Sequence, residues 1–165
     1  MNATVERALA LWGLTDATRT LVAARENAVY KITVKDRNFA LRLHRKGYRT
    51  DRELWSELAW MDVVARGGIR VPAPIPSSSG DMLHLVDGVQ VDVLTWLRGK
   101  TAAETLDLSS PQDREAIFGK IGREMARLHE VSDTWPLQEG FQRCAWDREG
   151  LVGSGPRPDP EARLE

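Results

Sequence analysis

Apolar positions follow two different periods along this chain, and the switches between them predict its elements. From Thr4 to Trp12, Val5, Ala8, Leu9 and Trp12 share one helical face and Gly13 follows, which predicts a short amphipathic helix with a glycine stop. Three runs of alternating character come next: Arg19 to Ala24, Ala28 to Val34 and Asn38 to His44. Polar breaks at Arg25-Glu26-Asn27 and Lys35-Asp36-Arg37 separate them, so the simplest arrangement is a three-stranded antiparallel meander. The period turns helical again from Thr50 to Arg66 and ends at Gly67-Gly68. Pro72, Pro74 and Pro76 then hold the chain extended, Ser77 to Asp81 reads as a turn, and Asp87-Gly88 joins two more strands, about Met82 to Val86 and Val89 to Thr95. A last helix is announced by Ser110 as N-cap, Pro111 in the first turn and Asp113 at N3, with Ile117, Ile121, Met125 and Leu128 as its apolar stripe. Past Trp135, Phe141 and Trp146, the Gly/Pro-rich end from Gly153 to Pro160 has few apolar anchors and is expected to be irregular and mobile.

The 165 residues suffice for one domain, or for one lobe and part of another. With 42% hydrophobic and 28% charged residues the chain has the balance of a folded, water-soluble protein. The formal net charge of −1 offers no excess of positive charge to nucleic acid or an anionic membrane, so neither is expected as a partner. Cys144 is the only cysteine, which excludes an internal disulfide and a cysteine zinc cluster and fits a reducing cytoplasm. The first residues, with Glu6 and Arg7 among short apolar runs, lack the pattern of a signal peptide, and no run approaches ~20 apolar residues, so neither export nor membrane spanning is expected of this stretch.

Candidate chemistry centres on the third strand and the helix after it. Ala40 and Arg42 lie two residues apart and share a strand face. At 100° per residue, Glu57 falls within the apolar arc of Leu54, Leu58, Met61 and Val64 and faces the sheet. A carboxylate aimed at an apolar interface is costly unless paired, and Arg42 is the nearest sensible cation. Glu53, at the edge of the same arc, is a rival partner, and a partly exposed pair worth ~0–1 kcal/mol is the plain structural alternative.

Five antiparallel strands with a helix after the third, then a linker and further helices, follow the order of a kinase amino lobe entering its carboxy lobe. Phe39-Ala40-Leu41-Arg42 has the shape of the V-A-I-K element of the third kinase strand. With Glu26-Asn27-Ala28-Val29-Tyr30, the run on to Arg45, Ser56-Glu57-Leu58-Ala59-Trp60, Val71-Pro72-Ala73-Pro74 and Gly122 to His129, the chain resembles the aminoglycoside phosphotransferase superfamily from about Thr18 to Trp146. Its homoserine-kinase-like and bacterial stress-response-kinase-like branches are the nearest in look. The resemblance implies an α+β fold: a kinase-like amino lobe (residues 1–97) of a five-stranded antiparallel sheet with one packed helix, a linker (98–110), and the start of a second lobe (111–165). It further implies ATP and Mg²⁺ as the cofactors of a full-length kinase. Glu26 and Asn27 would cover the phosphates at a hairpin tip, Ala40 would lie beneath the purine, and Arg42, paired with Glu57, would reach the phosphates. Leu94, the Thr95 carbonyl and the Leu97 amide would meet the adenine. Read without the family, Glu26-Asn27 is a plain polar turn, and Leu94 and Trp96 are plain core residues. The family's usual lysine is arginine here, which changes reach and geometry.

The family's His-Gly-Asp catalytic loop, its following asparagine and its metal-binding aspartate are not found in these residues, so no catalytic or metal-binding residue is assigned. His44, His84 and His129 read as structural. No Walker lysine loop, G-x-S-x-G elbow or H-E-x-x-H pair is present. The leading expectation is the amino-terminal, nucleotide-binding part of an ATP-dependent phosphotransferase acting on a hydroxyl of a small molecule or protein, with the catalytic loop absent from these residues and the chain inactive alone. A naturally shortened, non-catalytic nucleotide-binding or interaction module is the alternative, and a purely structural α+β domain a third reading. In each case apolar surface around Trp96, Ile117 and Phe118 is expected to await a second lobe or another copy of the chain.

Overall fold

The computed structural model describes residues 2–106 and 110–143. Cys144, Trp146 and the segment from Gly153 to Pro160 lie outside them. Its elements are α1 (Asn2–Leu11), β1 (Thr18–Ala24), β2 (Asn27–Val34), β3 (Arg37–His44), α2 (Asp51–Arg66), β4 (His84–Val86), β5 (Val89–Thr95), α3 (Ala102–Leu106) and α4 (Pro111–Thr134). The strands form one antiparallel sheet in the order β1-β2-β3-β5-β4. The expected sheet and packed helix are therefore present.

Strand alternation decides which residues meet which helix. On β3, Phe39, Leu41 and Leu43 point to one face, where they join Tyr30 and Ile32 of β2, Val91 and Val93 of β5, and Val5, Ala8 and Leu9 of α1 in one buried cluster. Fully burying such a side chain is worth roughly 1.5–3 kcal/mol, so α1 is held chiefly by this face. Thr4 and Arg7 add an exposed tie, both bonding the carboxylate of Asp87 in the β4–β5 turn. That turn needs positive φ at both central residues, 53° at Asp87 and 74° at Gly88, which is the backbone an Asp-Gly hairpin supplies.

The opposite face of β3 carries Ala40 and Arg42 and is approached by α2. Thr50 caps α2 through a complete capping box: its hydroxyl accepts from Glu53 N–H while the Glu53 carboxylate accepts from Thr50 N–H. Leu54, Leu58 and Val64 are buried along the helix. Gly67 is its C-cap, and the position is crowded enough to favour glycine: a Cβ there would stand 2.8 Å from Val131 Cγ2 of α4. Trp60 Nε1–H donates to Ser132 Oγ at 3.0 Å, and Arg127 reaches the Gly68 carbonyl, so α2 and α4 are pinned together.

Two elements differ from the sequence expectation. β4 begins at His84 instead of Met82. Within residues 98–110, expected to be linker only, Ala102–Leu106 forms a short helix. Thr101 and Glu104 make its capping box, with Glu104 Oε2 accepting from Thr101 N–H at 2.7 Å. The T-x-x-E signature was legible, but the helix is too short for apolar periodicity to show. On α4, Ile121 and Met125 of the predicted stripe are 40% and 53% exposed and Ile117 and Leu128 half-buried, while Phe118 beside the stripe is 59% exposed, so half of the stripe is uncovered by the described residues.

Candidate functional site

The β2–β3–β5 register places the candidate groups in two cross-strand rows. Ala40 lies opposite Lys31 of β2 and Leu94 of β5; Arg42 lies opposite Val29 and Asp92. Two residues of strand separate the rows by ~7 Å. Leu94 is buried and Ala40 half-buried, giving the first row a small apolar floor.

Arg42 is the centre of the second row. Its Nη1–H donates to Glu57 Oε1 at 2.8 Å, so the strand-to-helix pair anticipated from the sequence forms. Glu53 does not compete for it, because its carboxylate is occupied by Thr50 and Arg49. The sequence reading missed a second carboxylate. Asp92 on β5 receives Arg42 Nε–H at 2.8 Å and Nη2–H at 2.9 Å, a side-on bidentate pair. His44 Nε2 lies 2.6 Å from Asp92 Oδ2. His44, read from the sequence only as structural, therefore has a buried carboxylate partner. Glu57 is shared as well: its Oε2 accepts from Arg143 Nη1–H at 2.8 Å, from the segment after α4. The result is a continuous chain, His44 to Asp92 to Arg42 to Glu57 to Arg143.

Burial gives the chain its electrostatic character. Asp92 is fully buried, and the Arg42 side chain is only 13% exposed. Burial pushes the Asp92 carboxyl up, but the hydrogen bond with His44 and the charge and hydrogen bonds of Arg42 outweigh it and hold the carboxyl below its usual range. Glu57 behaves alike, with burial opposed first by Arg42 and then by Arg143. Burial alone would lower the Arg42 pKa; Asp92 and then Glu57 reverse this and raise it above the ordinary arginine range. Arg42 is thus a permanent cation. Of its five N–H donors, three are engaged by the two carboxylates, and the other two have no partner among the described residues and could serve an anionic ligand.

The remaining candidates are distributed around these rows. Glu26 sits in the short β1–β2 turn and lines a cavity of about 560 Å³ with Arg25, His44 and Arg45. Asn27 is not a turn residue: it opens β2, opposite His44, because the ladder continues one residue further than the polar break suggests. Both large apolar side chains of β1, Leu21 and Val22, are about half exposed (46% and 48%), as befits an edge hairpin standing clear of the core. Thr95 is tied to the proline connector, its N–H donating to the Ala73 carbonyl and its hydroxyl accepting from Ala73 N–H, both at 2.8 Å. The Leu97 N–H, by contrast, has no partner among the described residues. Lys31 Nζ lies 5.3 Å from the Trp96 ring centroid, a cation–π contact that brings a second cation to the Ala40 row. Among the described residues no group of three or more His, Cys, Asp or Glu is arranged to hold a metal ion, and no helix is long and apolar enough to cross a membrane.

Asp92 left a signal in the sequence. In Val89-Gln90-Val91-Asp92-Val93-Leu94 it is the one acid of an otherwise apolar and amide strand, and a strand covered on both faces must bury it. Arg143 left none, because its partner lies 86 positions away.

Residues 18–162 match the phosphotransferase enzyme family (APH). Over 144 residues the chain is 27% identical to amicoumacin kinase of Bacillus subtilis (strain 168), covering 86% of this chain and 42% of that one. The solved structure of a microcompartment-associated aminopropanol kinase superposes with a TM-score of 0.76 at 29% identity, covering 95% of this chain and 48% of that one. Amicoumacin kinase hAmiN, solved in complex with AMP-PNP, Ca²⁺ and Ami, shares the fold with a TM-score of 0.73 at 18% identity over 88% of this chain and 44% of its own. The chain spans less than half the length of each of these relatives.

Proposed function

The chain belongs to the phosphotransferase enzyme family, and from that premise we propose that it is the nucleotide-binding, amino-terminal part of an ATP-dependent phosphotransferase acting in the cytoplasm on a hydroxyl of a small molecule or protein. The observation that carries this is Arg42, a half-buried, permanently charged guanidinium held at one end by Asp92 and at the other by Glu57, one ~7 Å strand repeat from the Ala40–Leu94 floor. A purine on that floor, against the Leu97 amide, would have its phosphates within reach of the two Arg42 donors left without a partner among the described residues. The β1–β2 hairpin with Glu26 would lie over them.

ATP would supply the transferable phosphoryl group, and Mg²⁺ would supply positive charge to offset the negative charge of its phosphates. The described residues fit the nucleotide but offer no ligand set for the metal. The relatives are about twice as long, and we assign the metal-binding and phosphoryl-transferring groups to the part that this chain does not span. That part, or a second copy of the chain, would also cover Phe118, Ile121 and Met125. What this chain's own residues do is bind and orient: Ala40 and Leu94 bound the base, Arg42 meets the phosphates, and Glu57 and Asp92 hold Arg42.

NMR titration of the 165-residue chain with ATP tests the proposal. Binding with a Kd of roughly 0.1 mM is expected, with shifts centred on residues 26–31, 40–44 and 94–97, and Arg42→Ala should weaken it at least about tenfold. Binding unaltered by that substitution, or shifts confined to another surface, would remove Arg42 from the site.

A further inference from the structure

Asp92 creates a difficulty for an anion site built on Arg42. Arg42 carries one positive charge, while the two carboxylates bonded to it, Asp92 and Glu57, carry two negative ones. Alone, that trio would repel a triphosphate. The Asp92 carboxylate cannot swing away, being fully buried and bonded side-on, and its depressed protonation keeps it ionised. Glu57 is the adjustable member. It bridges two guanidinium groups, one oxygen to Arg42 and the other to Arg143, each at 2.8 Å.

We infer that Arg143 is a positioning residue of the nucleotide site: by neutralising Glu57 it lets Arg42 attract phosphate despite the buried Asp92. The inference rests on the nucleotide reading above and adds to it a residue from the far side of α4. Arg143 is well placed for this role. Its neighbour is anchored, since Gln142 N–H donates to the hydroxyl of Ser56 at 2.9 Å, one residue before Glu57 on α2. Trp135 and Phe141 stack edge to face at 5.3 Å and fold the segment back toward α2. Arg143 thus couples the occupancy of the phosphate end to the docking of the segment after α4.

The test compares ATP with adenosine, which presents the same base without phosphate. Arg143→Gln should weaken ATP about tenfold and leave adenosine within about twofold, because only the phosphates feel the lost charge. Arg143→Lys, which keeps the charge, should stay within about threefold of the unsubstituted chain, and Glu57→Gln added to Arg143→Gln should recover most of the lost ATP affinity by restoring charge balance. Equal losses for ATP and adenosine would make Arg143 merely structural; no loss, or no recovery in the double variant, would likewise overturn its electrostatic role. Failure of the unsubstituted chain to bind either ligand would instead defeat the nucleotide reading itself, and the role of Arg143 with it.

Discussion

Replacing Asp92 by alanine removes the acceptor shared by Arg42 and His44. Three contacts disappear together: Arg42 Nε at 2.8 Å, Arg42 Nη2 at 2.9 Å and His44 Nε2 at 2.6 Å. Both groups left behind are shielded from water: His44 is buried, its side chain 3% exposed, and the Arg42 side chain is only 13% exposed. Breaking a buried pair by removing one partner costs about 3–5 kcal/mol, mostly from the uncompensated charge that remains. Glu57 still holds Nη1, which places the expected loss near the lower end, about 3 kcal/mol. In a chain of this size that lowers Tm by about 6–12 °C. Urea denaturation followed by circular dichroism should show a lower midpoint with an unchanged slope. Combining Asp92→Leu with Arg42→Met should restore most of the stability, because a well-packed apolar pair needs no compensation. A loss below about 1 kcal/mol for Asp92→Ala, the value of an exposed pair, would refute the buried-clamp argument. So would a double variant as unstable as the single one.

Two further outcomes follow from the same geometry. Both Asp92 and Glu57 have carboxyls held below their unfolded range, so the stability they contribute is complete above the unfolded pKa of ~4 and is lost as the pH falls through their folded values. Melting scans should therefore show a falling Tm below pH ~4 that is shallower in Arg42→Met, and an identical acid limb in that variant would remove these two groups as its source. Thr50→Ala breaks the capping box of α2 and should cost about 1 kcal/mol in the same denaturation assay, while Thr50→Ser should cost little; equal losses would show that the hydroxyl contributes nothing.

Much of the fold was legible because its determinants are local. Alternation in β2, β3 and β5, the Asp-Gly turn and the Ser110 cap each act within a few residues, and the structure reproduces these elements to within a residue or two. The Arg42–Glu57 contact was also legible, since helical phase turned Glu57 toward the sheet and strand phase put Arg42 on the facing side. The misses are of two kinds. Asn27 and α3 sit at element ends, where one more ladder pair or a single capped turn decides the assignment. Asp92, His44 and Arg143 are non-local: their roles depend on which strand lies beside β3 and on where the chain returns after α4. The sequence by itself determined the elements, their faces and the family likeness, because periodicity and turn chemistry are written in neighbouring residues. Only the tertiary structure decided the charge balance at Arg42, because that depends on Asp92, 50 positions from Arg42, and Arg143, 86 positions from Glu57, each brought within 3 Å of its partner by register and packing.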